Sequence, residues 1–271
     1  MGKITALAGN QRTLYQIDAF ADKVFSGNPA AVVPLENWLP EDTMQHIAME
    51  NNLSETAFIV KEGERFAIRW FTPTAEVDLC GHATLATAFV IFRYLEPDTQ
   101  EIEFDSRSGL LSVTRKGSKM RMDFPKDLPQ SLSKQKGEID GVIGGNTVAV
   151  MKGKDDILAI LATQLEVEKI RPDFGLMSKL DCRGLIVSAV GENYDFVSRC
   201  FYPNYGVNED PVTGSAHCLL APYWSEVLHK KTLNARQLSR RGGSLTCKVG
   251  ENRVYISGTC VPYMIGEITL P

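Results

Sequence analysis

The chain has 271 residues, 44% hydrophobic and 23% charged, with a net charge of −4, a size that supports one large core or two medium ones. No basic run and no arginine–aromatic interleaving offers nucleic acid a footprint, so no nucleic-acid partner is expected. The longest apolar run, near Phe89 to Phe92, is far short of a bilayer span, so no membrane partner is expected either.

In chain order, residues 1–13 are expected to be a loose tail without the apolar region of a signal peptide, and Ala6 breaks a myristoylation pattern. Leu14 to Phe20 alternates like a strand, Gly27-Asn28-Pro29 is a turn, and Ala30 to Val33 is a second strand. Pro40-Glu41-Asp42 opens a helix that Asn51-Asn52 stops, and Thr56 to Val60 and Phe66 to Phe71 read as strands. His82 to Tyr94 reads as a helix apolar all round, which must therefore be buried, most simply within the sheet of its own lobe. Leu110 to Arg115 and Lys119 to Phe124 flank a turn at Gly117-Ser118, and polar Pro125 to Lys136 reads as a linker. Beyond it come a helix near Ile157 to Leu165, strands at Gly184 to Ala189 and Phe196 to Phe201, and a second special helix that Pro222 should kink or shorten. Leu245 to Val249 and Val254 to Ser257 form a hairpin.

Two stretches repeat one design: Arg69-Trp70-Phe71 leading to Asp78-Leu79-Cys80-Gly81-His82-Ala83, and Arg199-Cys200-Phe201 leading to Asp210-Pro211-Val212-Thr213-Gly214-Ser215-Ala216. Phe71 and Phe201 stand 130 residues apart, which implies two similar lobes. The expected domains are residues 1–124 and 125–271, the final strand either staying with the second or crossing to the first. Each repeat ends in Gly and a small polar residue where a helix begins, and a helix N-terminus attracts anions. A plain Cys-Gly turn and an N-cap hydroxyl at Ser215 are the alternatives. Ser54-Glu55-Thr56 by itself is an ordinary solvated turn.

Six cysteines without a C-x-x-C pair and four histidines without H-x-x-x-H spacing give no metal site. The cysteines sit in apolar strings, as small core residues of a reducing, cytoplasmic compartment would. Neither G-x-G-x-x-G nor a P-loop occurs, so no nucleotide cofactor is expected, and the lack of a G-x-S-x-G elbow weakens a hydrolase reading.

Gly27-Asn28-Pro29-Ala30-Ala31-Val32, Asn52-Leu53-Ser54-Glu55-Thr56-Ala57-Phe58, Cys80-Gly81-His82-Ala83-Thr84 and Asp210-Pro211-Val212-Thr213-Gly214-Ser215-Ala216 resemble the signature segments of the PhzF-like, phenazine-biosynthesis family. The resemblance runs from about Leu14 to the C-terminus. It implies an α+β fold of the diaminopimelate epimerase type, with two pseudo-symmetric lobes each wrapping strands round a central helix and a cofactor-free site between them. It also implies a homodimer and a small carboxylate-bearing substrate. By the same resemblance Glu55, His82, Asp210 and Ser215 are the catalytic residues, and Asn28, Gly81, Ala83, Gly214 and Ala216 bind substrate. The epimerases carry a cysteine before glycine in both halves; here Thr213 takes the second place, and a hydroxyl cannot trade roles with a thiolate near neutral pH. The expected activity is a cofactor-independent isomerisation centred on Glu55. The alternatives are an amino-acid racemase or epimerase and a non-catalytic binding protein that keeps the fold.

Overall fold

The computed structural model describes residues 10–270, which divide into two compact units, residues 10–123 with 257–270 and residues 124–256. Up to the boundary the elements are β1 (Gln11–Ala19), β2 (Asn28–Leu35), α1 (Glu41–Asn51), β3 (Glu55–Glu62), β4 (Arg65–Phe71), β5 (Glu76–Val77), α2 (Gly81–Val90), β6 (Glu101–Ser106), β7 (Gly109–Lys116) and β8 (Lys119–Pro125). There follow β9 (Gln130–Ser131), α3 (Lys136–Ile143), β10 (Ala149–Lys152), β11 (Asp156–Ile160), α4 (Gln164–Lys169), α5 (Phe174–Met177), β12 (Gly184–Val190), β13 (Phe196–Tyr202), β14 (Val207–Asp210), α6 (His217–Leu228), β15 (Thr232–Gln237), β16 (Gly243–Val249) and β17 (Arg253–Gly258). The last strand, β18 (Cys260–Thr269), lies antiparallel beside β1, so the chain ends in the first unit.

In that unit β2 runs antiparallel to β1 and parallel to β3, and a parallel pair needs a crossover, which α1 supplies. Glu41 and Asp42 sit in the first turn of α1, where the helix dipole favours acids. Asn52 ends it in the left-handed conformation at φ 47°. The expected all-apolar helix is α2, with Leu85, Ala86, Ala88 and Val90 fully buried against β1, β2, β3 and β18. Its two buried hydroxyls are satisfied internally, Thr84 donating to the Cys80 carbonyl and Thr87 to that of Ala83. The α-helical part stops at Val90 and relaxes into a π-helical turn through Leu95, where Arg115 donates to the freed Phe92 carbonyl.

The sequence repeat is a structural clamp used twice. Arg69 grips Glu76 through Nε and Nη2 at 2.7 and 2.6 Å and lies over the Phe71 ring at 5.2 Å. Arg199 grips Glu209 at 2.7 and 3.0 Å and lies over Phe201 at 5.1 Å. Bidentate pairs of this kind fix orientation as well as distance, so each ties a short strand, β5 or β14, to the strand before it. Register then equates the two units. Phe58 stands opposite Arg69 and Val187 opposite Arg199; three residues back, Glu55 and Gly184 each open their strand.

Three expectations are corrected. Gln11, Arg12 and Thr13 are not tail but strand, paired with Thr269, Ile268 and Glu267; residues 1–9 lie outside the described residues. The helix expected near Ile157 to Leu165 is the strand β11, all five residues buried, because a short apolar run in a parallel sheet has no period that separates it from a buried helix. The helical turn comes later, at α4, opened by a capping box between Thr163 and Glu166. The end of the expected linker runs into α3, whose Ile139, Val142 and Ile143 are buried. α6 carries Pro222 in its interior and continues to Leu228, and the Cys218 carbonyl, deprived of its helical donor, accepts the Asp127 N–H at 3.1 Å.

The start of α6 holds a fully buried histidine. His217 Nδ1 donates to the Thr213 carbonyl at 2.8 Å, and burial pushes its pKa from 6.5 down to about 4, the backbone contact opposing only in part. It is a neutral packing residue beside Phe196.

Two outcomes follow for stability. A Cβ on Gly184 would lie 2.2 Å from Tyr202 ring atoms, so Gly184→Ala should cost about 1–3 kcal/mol by urea unfolding, and the loss should shrink in a Tyr202→Leu background. For His217, the unfolded chain takes up the proton first as pH falls below 6.5, so stability present above that value is lost by about pH 4, up to roughly 3 kcal/mol. His217→Gln removes that proton uptake; urea unfolding at pH 7 and pH 4 should show the wild type losing more stability than the variant, and equal losses would contradict the assignment.

Candidate functional site

Three element ends meet in the first unit. Asn28 opens β2, Glu55 opens β3, and Cys80 and His82 sit at the N-terminus of α2. The parallel ladder pairs Ala30 with Glu55, which brings the two strand starts side by side. Gly27 lets the chain turn into β2: its φ is +69°, and a Cβ there would stand 2.2 Å from the Ala19 carbonyl oxygen.

Ser54 Oγ donates to Asn28 Oδ1 at 3.2 Å. That orients the buried amide so that Nδ2 donates to His82 Nδ1 at 3.1 Å. The imidazole proton then sits on Nε2, 2.9 Å from Glu55 Oε2. The separation is that of an ion pair, yet Oε2 and Nε2 both lack an aligned hydrogen bond although both are buried. The Glu55 side chain is the more open of the two, 17% exposed against 6% for His82.

Burial alone would hold the His82 imidazole neutral, but the Cys80 sulfur and the Glu55 carboxylate outweigh it and lift its pKa well above 6.5. Cys80 Sγ lies 3.5 Å from the same Nδ1 that faces the Asn28 amide. Cys80 is pushed up to about 11, first by burial and then by Glu55, so it is a neutral thiol near pH 7. Glu55, Cys80 and His82 place a carboxylate, a thiol and an imidazole within 4.8 Å of one another. The imidazole lies between the other two with a different nitrogen facing each, which does not suit one ion held by all three. Gly81 and His82 present first-turn N–H groups that have no intrahelical acceptor. Ala83, on the same first turn, is fully buried.

In the second unit the corresponding segment is a turn, since α6 begins only at His217. Thr213 Oγ1 donates to Asp210 Oδ2 at 2.5 Å. Gln237 braces the turn, accepting the Thr213 N–H at 2.9 Å and donating to the Asp210 carbonyl at 2.8 Å. Ser215 is not the N-cap, a place held by Ala216; its oxygen accepts from Arg183 Nη2 at 3.2 Å. Gly214 is buried and Ala216 fully so.

Of the expected residues, Asn28 and Glu55 each contact His82, with Gly81 and Ala83 on the same helix start. Asp210 meets Thr213, and Ser215 turns to Arg183. Sequence reasoning missed Arg183, Asp156 and Gln237 and saw Ser54 only as a turn residue. Their partners are distant in sequence, and no local motif marks them.

Comparison with known proteins identifies the family. The family model described as phenazine biosynthesis-like protein matches residues 17–266. An uncharacterized isomerase of Pseudomonas aeruginosa is 48% identical over 258 residues, covering 95% of this chain and 99% of its own length. The crystal structure of a PhzF-family phenazine biosynthesis protein from Enterococcus faecalis shares 50% identity at a TM-score of 0.93, over 96% of this chain and 100% of that one. A predicted epimerase from Pseudomonas aeruginosa, 20% identical, superposes at 0.79 over 95% and 99% of the two chains, which extends the likeness of fold to the epimerases. The near-complete match places this chain in the phenazine biosynthesis-like family.

Proposed function

We propose that the chain is a cofactor-independent isomerase that moves a proton on a small carboxylate-bearing metabolite, with Glu55 as the general acid and base. The observation that carries the reading is the pairing of Glu55 with a buried imidazole while its Oε2 lacks an aligned donor. Relatives named isomerases support the reaction class. The repeat supports a single base, because the place of Glu55 in the second unit is Gly184 and that of Cys80 is Thr213.

Glu55 takes a proton from the carbon next to the acid-bearing one, and negative charge builds on the substrate. The free N–H groups at the start of α2 bind the carboxylate and stabilise that charge. His82 Nε2 stands 2.9 Å from the Glu55 carboxylate and favours its charged form, and Glu55 carries the abstracted proton and returns it to a different atom of the same molecule. Asp210 and Ser215 keep their family assignment to the same reaction.

Solvent deuterium uptake into a panel of cyclic and amino carboxylic acids tests this. On any acid that exchanges, Glu55→Gln should slow uptake by roughly 100-fold or more, while Cys80→Ala keeps a substantial share, its thiol being protonated. Asp210→Asn and Ser215→Ala should each reduce uptake. If Cys80→Ala abolishes exchange and Glu55→Gln spares it, a thiol-based epimerase replaces this reading.

A further inference from the structure

Asp156, 4% exposed, opens β11, and Arg183 immediately precedes β12. Parallel pairing sets Asp156 beside Gly184, so the guanidinium reaches the carboxylate twice, Nε to Oδ1 at 2.9 Å and Nη2 to Oδ2 at 2.5 Å. The missing side chain at Gly184 admits the Tyr202 ring, over which the guanidinium lies at 5.4 Å. The remaining proton of Nη2 points to Ser215 Oγ.

This pair is a poor device for stability, because removing both charges from water costs about as much as their attraction returns. Burial indeed keeps the Asp156 carboxyl above its ordinary value even with Arg183 beside it. Its effect on Ser215 is directional. A guanidinium has donors and no acceptor, so it occupies a lone pair of the hydroxyl and turns the O–H proton away from itself. A charged donor on the oxygen also makes that O–H a stronger hydrogen-bond donor.

We infer that Arg183, anchored by Asp156, is a positioning residue that holds Ser215 as a hydrogen-bond donor to the carboxylate of the ligand. The inference rests on the assignment of Ser215 to a carboxylate-bearing ligand. It predicts that Ser215 contributes to anion binding only while Arg183 holds its oxygen.

The probe is benzoate, titrated into the full-length protein and followed by the backbone amide resonance of residue 215, with thermal unfolding recorded for every variant. Benzoate should shift that resonance in the wild type. Ser215→Ala should weaken its affinity about tenfold, the worth of one good hydrogen bond. The neutral pair Arg183→Gln with Asp156→Asn keeps a hydrogen bond between the two side chains but no charge, and should weaken it equally. Adding Ser215→Ala to the neutral pair should weaken it no further. Arg183→Lys should unfold near the wild-type temperature yet fail to restore affinity, because an ammonium lacks the planar fork. No shift with benzoate, wild-type affinity in the neutral pair, or losses that multiply in the triple variant would each overturn the proposal. Turnover is not needed, so Glu55→Gln tests the reaction and this titration tests Arg183 independently.

Discussion

The pairing of Glu55 with His82 is the constraint on which the rest of the first unit depends. A carboxylate and an imidazole withdrawn from water destabilise the fold unless they are held within contact of each other. A distance of 2.9 Å is maintained by three elements that start at one place. The β2–β3 ladder sets Glu55 beside Ala30, two residues from Asn28, α1 supplies the crossover that parallel strands require, and α2 brings His82 in by its first turn. Even Gly27 follows from this, since the approach of β2 to Ala19 leaves no room for a Cβ.

Against that background the two units differ in an instructive way. Both keep the arginine–glutamate clamp over a phenylalanine, with rings 5.2 and 5.1 Å from the guanidinium, and both follow it with a special segment. The clamps are scaffold. What changes is the chemistry they present: Glu55 against Gly184, Cys80 against Thr213, Ser54 against Arg183, His82 against Ser215. Under the single-base reading this divergence has a physical sense, because one group that both removes and returns a proton needs no partner of matching basicity. A second unit free of that demand can carry a cation and a hydroxyl instead.

The sequence revealed most where local chemistry decides structure. Asn51-Asn52 stops α1 because asparagine tolerates the left-handed cap, α2 is buried because it has no polar face, and the repeat of Arg69-Trp70-Phe71 in Arg199-Cys200-Phe201 falls on corresponding strands of the two units. It misled where pairing decides. Ile157 to Ile160 reads equally as helix or strand until β12 lies beside it, and the donor that meets the Cys218 carbonyl opposite Pro222 comes from Asp127, 95 residues earlier in the chain. The residues of the candidate site split along the same line. Glu55, His82 and Asn28 stand in recognisable segments, whereas Arg183 and Asp156 acquire meaning only when parallel register sets them together.

Two buried histidines show how far environment, rather than residue type, sets chemical capacity. His217 has a backbone carbonyl as its one polar partner, and desolvation wins: its pKa falls to about 4, it stays neutral, and its folded-state contribution to stability is lost as pH drops. His82 is as deeply buried, yet Cys80 and Glu55 reverse the balance and its pKa rises well above 6.5. Its linkage has the opposite sign, with stabilisation present below the unfolded value and lost as pH climbs through the folded one. Only the second kind of histidine can hold an extra proton inside a folded protein near neutrality. A carboxylate beside it therefore has a buried neighbour with which to share a proton, the property that a carboxylate asked to take and give back a proton requires.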